Sequence, residues 1–214
     1  MSASDITPDN PVRGRLNAWF FQALDNYIHR LVEEYKTKLF ADLPEDVLEI
    51  GSGVGANFRY FERRTRVTAI EPNPHMLPGL ERQAAIYDVN LNVLQCSAQN
   101  IPIAANSVDA VVCSLVLCTV PEPAAAVAEV LRILKPGGRF FFLEHVAAPV
   151  GSRRARVQNF VHRSWHYLFE GCHTNRRTEE LIRLAGFSDV VVDRFVLRGP
   201  FFPVNAQISG IATK

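Results

Sequence analysis

The apolar residues of this chain fall into two kinds of segment that alternate along it. Short, mostly apolar runs predict β-strands, and a run that is apolar throughout is typical of a parallel strand buried on both faces. Seven such runs span residues 47–50, 67–70, 91–96, 108–113, 139–146, 187–195 and 206–212. Most segments between them have helical spacing or contain proline and glycine, which predicts helices and turns.

The first helical segment precedes all the strands. Its apolar residues recur at three- and four-residue steps, and they are Leu16, Trp19, Phe20, Ala23, Leu24, Tyr27, Ile28, Leu31, Val32 and Tyr35. Pro44 is expected to end this helix before the first strand. Residues 1–14 lack periodicity and predict a mobile tail. Other helices are predicted over 74–86, 121–134, 151–170 and 178–184, with a helix start at 56–61 and a sharp stop at 135–138.

The order of these elements predicts the fold class. Strands that alternate with helices imply right-handed crossovers and a parallel sheet with helices on both faces. The last two strands follow each other closely, so they can form an antiparallel hairpin at the sheet edge. The sequence therefore predicts an α/β protein with one doubly wound, seven-stranded, mostly parallel sheet. A length of 214 residues suits one domain.

Composition narrows the class of partner. Apolar residues make up 48% of the chain and charged residues 21%, which is ordinary for a soluble globular protein. With a net charge of +1, no overall field favours nucleic acid. No run approaches the roughly 20 apolar residues of a membrane span. The cysteines lack metal-ligand spacing, so we expect no metal site and reduced thiols in a cytoplasmic protein; they are Cys96, Cys113, Cys118 and Cys172.

A glycine-rich loop follows the first predicted strand. Gly51, Gly53 and Gly55 stand at alternate positions after Ile50. Glycine allows a sharp turn with positive φ and lets a ligand approach the backbone. A helix that begins just behind such a loop offers free N–H groups to a ligand. The pattern predicts a nucleotide pocket, and with Ala56 it also matches the dinucleotide fingerprint.

An acidic residue follows the second predicted strand. Glu71 lies twenty residues after Gly51, and a carboxylate there can accept hydrogen bonds from both hydroxyls of a ribose. NAD, FAD and S-adenosylmethionine all carry such a ribose. The loop and the acid by themselves therefore leave three interpretations open: S-adenosylmethionine, a dinucleotide, or a purely structural turn.

Four segments together resemble a known family. VLEIGSGVGANF, VTAIEPNP, SVDAVVCSLVLCTV and ILKPGGRFFFLEHV, in this order, resemble the class I S-adenosylmethionine-dependent methyltransferases over about residues 45–195. The resemblance implies a Rossmann-like fold, S-adenosylmethionine as cofactor and S-adenosylhomocysteine as product. It also divides the chain into a tail with a capping helix over 1–44 and a methyltransferase domain over 45–214.

A narrower resemblance concerns the methyl acceptor. GANF, SLVLC, EHVA and WHYLFEGCHTNR resemble the methyltransferase-like proteins of animals that methylate alkyl thiols, together with their bacterial relatives. The animal proteins carry an N-terminal membrane anchor, whereas Met1 to Arg15 are polar here. The resemblance implies a small, apolar acceptor, a thiol or sulfide. Other acceptors left open are a phospholipid amine or a quinone-type molecule, and a non-catalytic binding module is a further alternative.

The family resemblance implies a set of cofactor-binding residues. Those beside the methionine part are Glu49, Gly51, Ser52, Gly53, Gly55 and Asn57. Glu71 is expected to take the ribose hydroxyls. The adenine is bordered by Pro72, Asn73 and Met76, and at its edge by Ser97 and Ala98, where many relatives have Asp at the position of Ser97. The methionine end is also expected to face the end of the fourth strand at Cys113, Ser114 and Leu115.

The acceptor side has fewer fixed requirements. Methyl transfer from a sulfonium is an in-line displacement with a neutral leaving group, so positioning and exclusion of water matter most. His145, which follows the fifth strand, is a candidate for proton transfer or acceptor orientation; a histidine with purely local hydrogen bonds is the alternative. An Arg-rich helix within 151–170 allows peripheral membrane contact, with a solvated surface as the alternative.

Several aromatic residues lie in two segments, the first helix and residues 151–175, that are not part of the predicted cofactor-binding sheet. We expect residues 151–175 to form a substrate cap together with the first helix, although that helix can equally well serve only as packing. The predicted lining residues of the acceptor site are Trp19, Phe20, Tyr27, Trp165 and Phe169.

Overall fold

The computed structural model describes residues 11–169 and 171–214. Its five α-helices are α1 (Pro11–Leu39), α2 (Leu77–Tyr87), α3 (Pro123–Ile133), α4 (Arg153–Leu168) and α5 (Thr178–Leu184). Its seven strands are β1 (Asp46–Ile50), β2 (Arg66–Ile70), β3 (Asn90–Leu94), β4 (Val108–Ser114), β5 (Leu134–His145), β6 (Asp189–Val196) and β7 (Ala206–Thr213). Single turns of 3₁₀-helix lie at Phe58–Tyr60 and Phe202–Val204.

All seven strands form one sheet in the order β3-β2-β1-β4-β5-β7-β6. Strands β1 to β5 pair in parallel, whereas β7 is antiparallel to both β5 and β6. The predicted α/β class and the antiparallel hairpin are therefore confirmed. The hairpin places β7 between β5 and β6, so β6 is the edge strand. Reversal of strand order between β1 and β4 creates a crevice at the carboxyl ends of the strands, where ligands of such sheets bind.

The strands separate two hydrophobic cores, one on each face. Side chains alternate between the faces, so Phe140 and Phe142 of β5 pack in one core while Phe141 packs in the other. All three rings are fully buried. Burial of each ring contributes about 1.5–3 kcal/mol, so β5 is a principal source of stability in both cores.

The prediction that a helix begins at residues 56–61 is wrong. The chain forms only the 3₁₀ turn Phe58–Tyr60 and leaves it in extended conformation at Phe61. Packing explains the difference, because the Phe61 ring contacts both Phe58 and Phe40, and all three are buried in the hydrophobic core on one face of the sheet. The glycine loop is therefore followed by a single turn and not by the N-terminus of an α-helix.

Two other boundaries differ from the sequence prediction by four residues or more. Helix α1 begins at Pro11, so residues 11–14 of the predicted tail are helical, while residues 1–10 lie outside the described part of the chain. The predicted stop at 135–138 lies inside β5, where the pairing with β4 jumps from Val108–Leu134 to Ala110–Arg139. Residues 135–138 are the extra residues of this bulge, and Gly137 provides its positive φ of 77°.

Helix α1 packs against two separate parts of the domain, the region of the glycine loop and strand β6. Ala18 packs with Val54 and Met76 near the glycine loop. Further along the helix, the Tyr35 ring stacks on Phe195 of β6 with 3.5 Å between centroids. None of the described helices combines the length and the apolar character needed to cross a membrane.

Gly210 provides a test of the sheet packing. A Cβ at this position would lie 2.2 Å from the Val191 carbonyl oxygen and 2.7 Å from the Phe142 ring. We expect Gly210→Ala to lower the free energy of unfolding by about 3 kcal/mol, the upper part of the usual range for overpacking. Urea unfolding followed by circular dichroism measures this loss.

Gly151 is the matched control. It has a φ of +82°, and a Cβ there would meet nothing within 4 Å. Gly151→Ala should cost only about 1 kcal/mol of backbone strain. Equal losses for the two variants would contradict the packing described for β7.

Candidate active site

The glycine loop turns the chain at the carboxyl end of β1. Gly51, Gly53 and Gly55 have φ values of +64°, +55° and +85°. A Cβ at Gly51 would lie 2.5 Å from Val116, so this glycine is needed for packing. A Cβ at Gly53 would meet no protein atom closer than 4.0 Å. Gly53 therefore borders an open space, as expected where a ligand approaches the backbone.

Glu71 connects this loop to the end of β2. Its side chain is buried, and its carboxylate oxygens accept hydrogen bonds from the backbone N–H groups of Gly53 and Asn73, both at 2.8 Å. Burial raises the pKa of Glu71 to about 6, and the two backbone hydrogen bonds oppose that rise. Each carboxylate oxygen has a second lone pair, so the group can accept two further hydrogen bonds.

The turn after Glu71 is held in place by its own polar groups and by α1. The Asn73 side chain accepts from the N–H of His75 at 3.0 Å and donates to the carbonyl oxygen of Gly14 in α1 at 3.4 Å. Pro72 is half-buried, and Met76 is buried against α1. Farther along the chain, Ser97 accepts from the N–H of Gln99 at 3.2 Å, and Ala98 is buried in a hydrophobic core.

Glu49 takes part in a buried polar chain that also includes α1. It accepts a hydrogen bond from the Asn57 amide at 2.6 Å, and Lys36 donates to the same amide at 2.6 Å. Burial lowers the pKa of Lys36 to about 8 and raises the pKa of Glu49. Sequence reasoning missed Lys36. Its signal was present, because Lys36 lies four residues after Val32, on the face of α1 that is buried.

Glu144 fixes the turn that follows β4. Its carboxylate accepts from the N–H groups of Val116 at 2.9 Å and Leu117 at 3.1 Å, and from the Cys113 thiol at 3.4 Å. Leu115 in this turn has a φ of +61°, a strained value for a bulky residue. Glu144 therefore holds a strained loop at the centre of the crevice. The neighbouring Ser114 hydroxyl is buried without a hydrogen-bond partner among the described residues.

Two cysteines and a histidine meet near the carboxyl ends of β4 and β5. His145 Nε2 lies 3.1 Å from Cys172 Sγ, and the Trp165 indole N–H donates to the same sulfur at 3.3 Å. The donor atoms of Cys118, His145 and Cys172 all lie within 4.8 Å of one another. Hydrogen bonds from Cys118, His145 and Trp165 lower the pKa of Cys172 although burial opposes this. The three residues are distant in sequence, so spacing gave no signal for this cluster.

The structure brings together three of the five predicted lining residues. The Phe169 ring lies 5.5 Å from Phe20 of α1 and 4.4 Å from Trp165 of α4, measured between centroids. Tyr27 instead contacts Phe201, at 6.3 Å. Trp19 is 66% exposed and lines a separate small cavity of about 240 Å³.

Comparison with known proteins identifies the family. A family model described as "Methyltransferase domain" matches residues 48–142. Thiol S-methyltransferase TMT1B of Mus musculus is 33% identical over 92% of this chain and 85% of its own length. The chain belongs to the S-adenosylmethionine-dependent methyltransferases. Thiol S-methyltransferase TMT1A of Homo sapiens is 34% identical over 84% of this chain and 78% of its own length.

A solved structure shows the same fold. A methyltransferase from Thermotoga maritima, described as a possible histamine N-methyltransferase, superposes with a TM-score of 0.63 at 19% identity. The match covers 91% of this chain and 99% of that one. This chain therefore has the Rossmann-like methyltransferase fold. Its family membership makes it an enzyme that uses S-adenosylmethionine as cofactor.

A second concave region of the methyltransferase lies at the opposite end of the sheet. This cleft of about 790 Å³ is lined at the amino ends of the strands by Asp46, Arg66, Asn90 and Asp109, among others. Ligands of doubly wound sheets bind at the carboxyl ends, where Gly53 and Glu71 lie. Despite its volume, the cleft is therefore not the candidate active site.

The contribution of Glu144 to the methyltransferase fold can be tested by two substitutions. Glu144→Ala leaves the N–H groups of Val116 and Leu117 without their acceptor, so we expect a loss of about 2–4 kcal/mol in the free energy of unfolding. Glu144→Gln keeps an acceptor oxygen and should lose less than half as much. Urea unfolding of both variants checks the ratio, and equal losses would show that the carboxylate does not fix the turn.

Proposed function

We propose that this methyltransferase transfers the methyl group of S-adenosylmethionine to a small, apolar thiol or sulfide. One observation carries the choice of acceptor: the similarity to TMT1B, a thiol S-methyltransferase, extends over 92% of the chain. The similarity therefore extends beyond the strands and loops that are proposed to bind the cofactor. The proposed acceptor site is built from the segments outside those strands and loops.

The cofactor is proposed to lie across the ends of β1, β2 and β4. Glu71 holds the ribose hydroxyls through its remaining lone pairs, and the open space at Gly53 receives the methionine part. The Ser114 hydroxyl, buried without a partner among the described residues, is available to the methionine end. Pro72 and Met76 border the adenine.

The remaining predicted contacts have more limited roles in this proposal. Glu49 and Asn57 hydrogen-bond to each other, so they shape the loop, and only the second Glu49 oxygen lacks a partner among the described atoms. Ala98 is buried in the core and supports the adenine edge by packing. Gly51, Ser52, Gly55, Asn73, Ser97, Cys113 and Leu115 stay predictions.

The protein contributes positioning more than proton transfer. When bound, the cofactor supplies an electrophilic methyl group on a sulfonium whose departure leaves a neutral thioether. A thiol acceptor with a pKa of about 8.5 is already partly thiolate, so a strong base is not required. Phe20, Trp165 and Phe169 form an apolar wall that excludes water and aligns the acceptor. His145 lies at the end of β5 and is proposed to orient the acceptor.

The domain organisation follows from this assignment. We propose that α1 and residues 151–175 cap the acceptor site, over a core made from residues 45–214. The Asn17 amide donates to the Leu168 carbonyl oxygen at 3.4 Å, which joins the capping helix to α4 beside the aromatic wall. The same α1 also packs on the core, so the two interpretations of this helix are compatible.

One observation favours a second candidate function, methyl transfer to a phospholipid amine or a quinone-type acceptor. Helix α4 exposes Phe160 at 88% and Tyr167 at 70%, and it begins with Arg153 and Arg154. Exposed aromatic and basic side chains on one helix suit contact with a membrane surface. This candidate ranks second because the similarity to thiol S-methyltransferases favours a thiol acceptor.

Cofactor affinity is expected to depend on pH through Glu71. Its pKa of about 6 means that the carboxylate, which accepts hydrogen bonds from the ribose, is largely protonated at pH 5. Affinity for S-adenosylmethionine should therefore be about tenfold weaker at pH 5 than at pH 7, by the titration of one group. Isothermal calorimetry measures this, and the α-amino and α-carboxyl groups of the cofactor titrate outside this range.

The control for this prediction is Glu71→Gln. It should bind at least about tenfold more weakly at pH 7, as expected for lost charge-assisted hydrogen bonds, and show no change down to pH 5. Acid does not weaken the fold through this group. Its pKa is raised on folding, so its contribution to stability increases as the pH falls through 6. Wild-type affinity that stays constant from pH 5 to 7 would remove Glu71 from the ribose site.

The acceptor class is tested by turnover. Release of S-adenosylhomocysteine is measured with an apolar thiol, a primary amine and a phenol of matched size. We expect the thiol to react at least about tenfold faster, because thiols are partly ionised at neutral pH and intrinsically nucleophilic. Faster reaction of the amine or the phenol would overturn the proposed acceptor while leaving the cofactor site unaffected.

The proposed aromatic wall is tested in the same assay. Phe20→Ala should raise KM for the apolar thiol several-fold and leave cofactor affinity within about twofold, because Phe20 contacts Phe169 and not the glycine loop. Phe160→Ala, on the exposed surface of α4, should leave both values unchanged. An increase in KM only for Phe160→Ala would favour the membrane-associated candidate.

A further inference from the structure

Cys118, His145 and Cys172 form a cluster that the cofactor site does not use. They come from the segment after β4, the end of β5 and the segment after α4, and their exposed fractions are only 2%, 4% and 7%. Their donor atoms lie within 4.8 Å of one another. Two sulfurs and an imidazole nitrogen at such distances are the donor set of Cys₂His zinc sites.

We propose that Cys118, His145 and Cys172 bind one Zn²⁺ ion. With Zn–S near 2.3 Å and Zn–N near 2.0–2.1 Å, donor atoms of a tetrahedral site lie about 3.5–3.8 Å apart. That separation falls within the 4.8 Å span of the cluster. His145 Nε2 and Cys172 Sγ, now 3.1 Å apart, need to separate by only about half an ångström to receive the ion.

Neighbouring groups support a ligand role. The Trp165 indole donates to Cys172 Sγ, an outer contact of the kind that orients metal-binding side chains. Two thiolates and one Zn²⁺ together carry no net charge, which suits a buried site.

The backbone around the cluster is already fixed. The Arg176 guanidinium donates to the carbonyl oxygens of Leu117 at 2.5 Å and Val120 at 2.6 Å. The His173 N–H donates to the carbonyl oxygen of Cys118 at 2.9 Å. These bonds hold the segments of Cys118 and Cys172 together, so the ion would meet a preorganised site.

The site has consequences for the acceptor region. The described residues contribute three donors, so a tetrahedral ion keeps one position for an external ligand such as water. As a zinc ligand, His145 cannot also take a proton on the coordinating nitrogen, and its role becomes that of positioning through the ion. The site itself holds whether or not the acceptor is a thiol.

Metal binding by the whole protein tests the proposal. Reduced, metal-free enzyme is titrated with Zn²⁺ against a chromogenic chelator, and separately with Co²⁺ in a visible spectrophotometer. We expect one Zn²⁺ per chain with a submicromolar Kd. The Co²⁺ form should show the sulfur-to-cobalt charge-transfer bands and the strong visible bands of a tetrahedral thiolate site. Both readouts are independent of turnover.

Variants assign the ligands. Cys118→Ser, Cys172→Ser and His145→Gln should each weaken Zn²⁺ binding by at least about tenfold, because each removes one of three ligands. Cys96→Ser is the matched control, since Cys96 is a buried cysteine outside the cluster, and its Zn²⁺ affinity should equal that of the wild type. Circular dichroism verifies that each variant is folded.

Two results would overturn the proposal. The first is a folded wild-type protein that binds no stoichiometric Zn²⁺, or one whose binding survives the loss of both Cys118 and Cys172. The second is a thiol count on unreduced, denatured protein that finds two free thiols instead of all four cysteines, because the pair would then be a disulfide. The wild-type titration decides the matter even if a variant fails to fold.

Discussion

Buried carboxylates at the ends of the parallel strands are the constraint on which this structure depends. Glu49, Glu71 and Glu144 end or follow β1, β2 and β5, and all three are buried. A carboxylate removed from water must be compensated by hydrogen-bond donors. Here the donors come from the glycine loop, the turn after β2 and the turn after β4. Each acid thereby fixes a neighbouring loop, and together these loops form the crevice at the carboxyl edge of the sheet.

The same constraint explains the electrostatics of the candidate site. Desolvation raises the pKa of Glu71 to about 6, so the carboxylate proposed for the ribose is sensitive to mild acid. Glu49 is paired through Asn57 with Lys36, a cation that α1 inserts into the core. Helix α1 is therefore part of the electrostatic structure of the loop, in addition to the capping role proposed for it. This double role explains why packing and capping are not competing descriptions of it.

Methyl transfer places modest demands on proton chemistry, and the structure agrees with that requirement. In the proposed site the residues near the crevice mainly position and enclose the reactants, as in the proposed wall of Phe20, Trp165 and Phe169. Among the described residues, the cluster of Cys118, His145 and Cys172 is buried and fixed by neighbouring hydrogen bonds. The proposed binding of a metal ion would use all three donor atoms at once.

Local pattern in the sequence was sufficient for the strands, the fold class and the pairing of the glycine loop with Glu71. A run of apolar residues indicates a buried strand. Parallel strands place their carboxyl ends at the same edge of the sheet, whatever segments connect them. Tertiary structure alone decided the Lys36–Asn57–Glu49 chain, the Cys118–His145–Cys172 cluster and the 3₁₀ turn at 58–60. These depend on which side chains meet across the core, and periodicity along one segment carries no information about its partner in another.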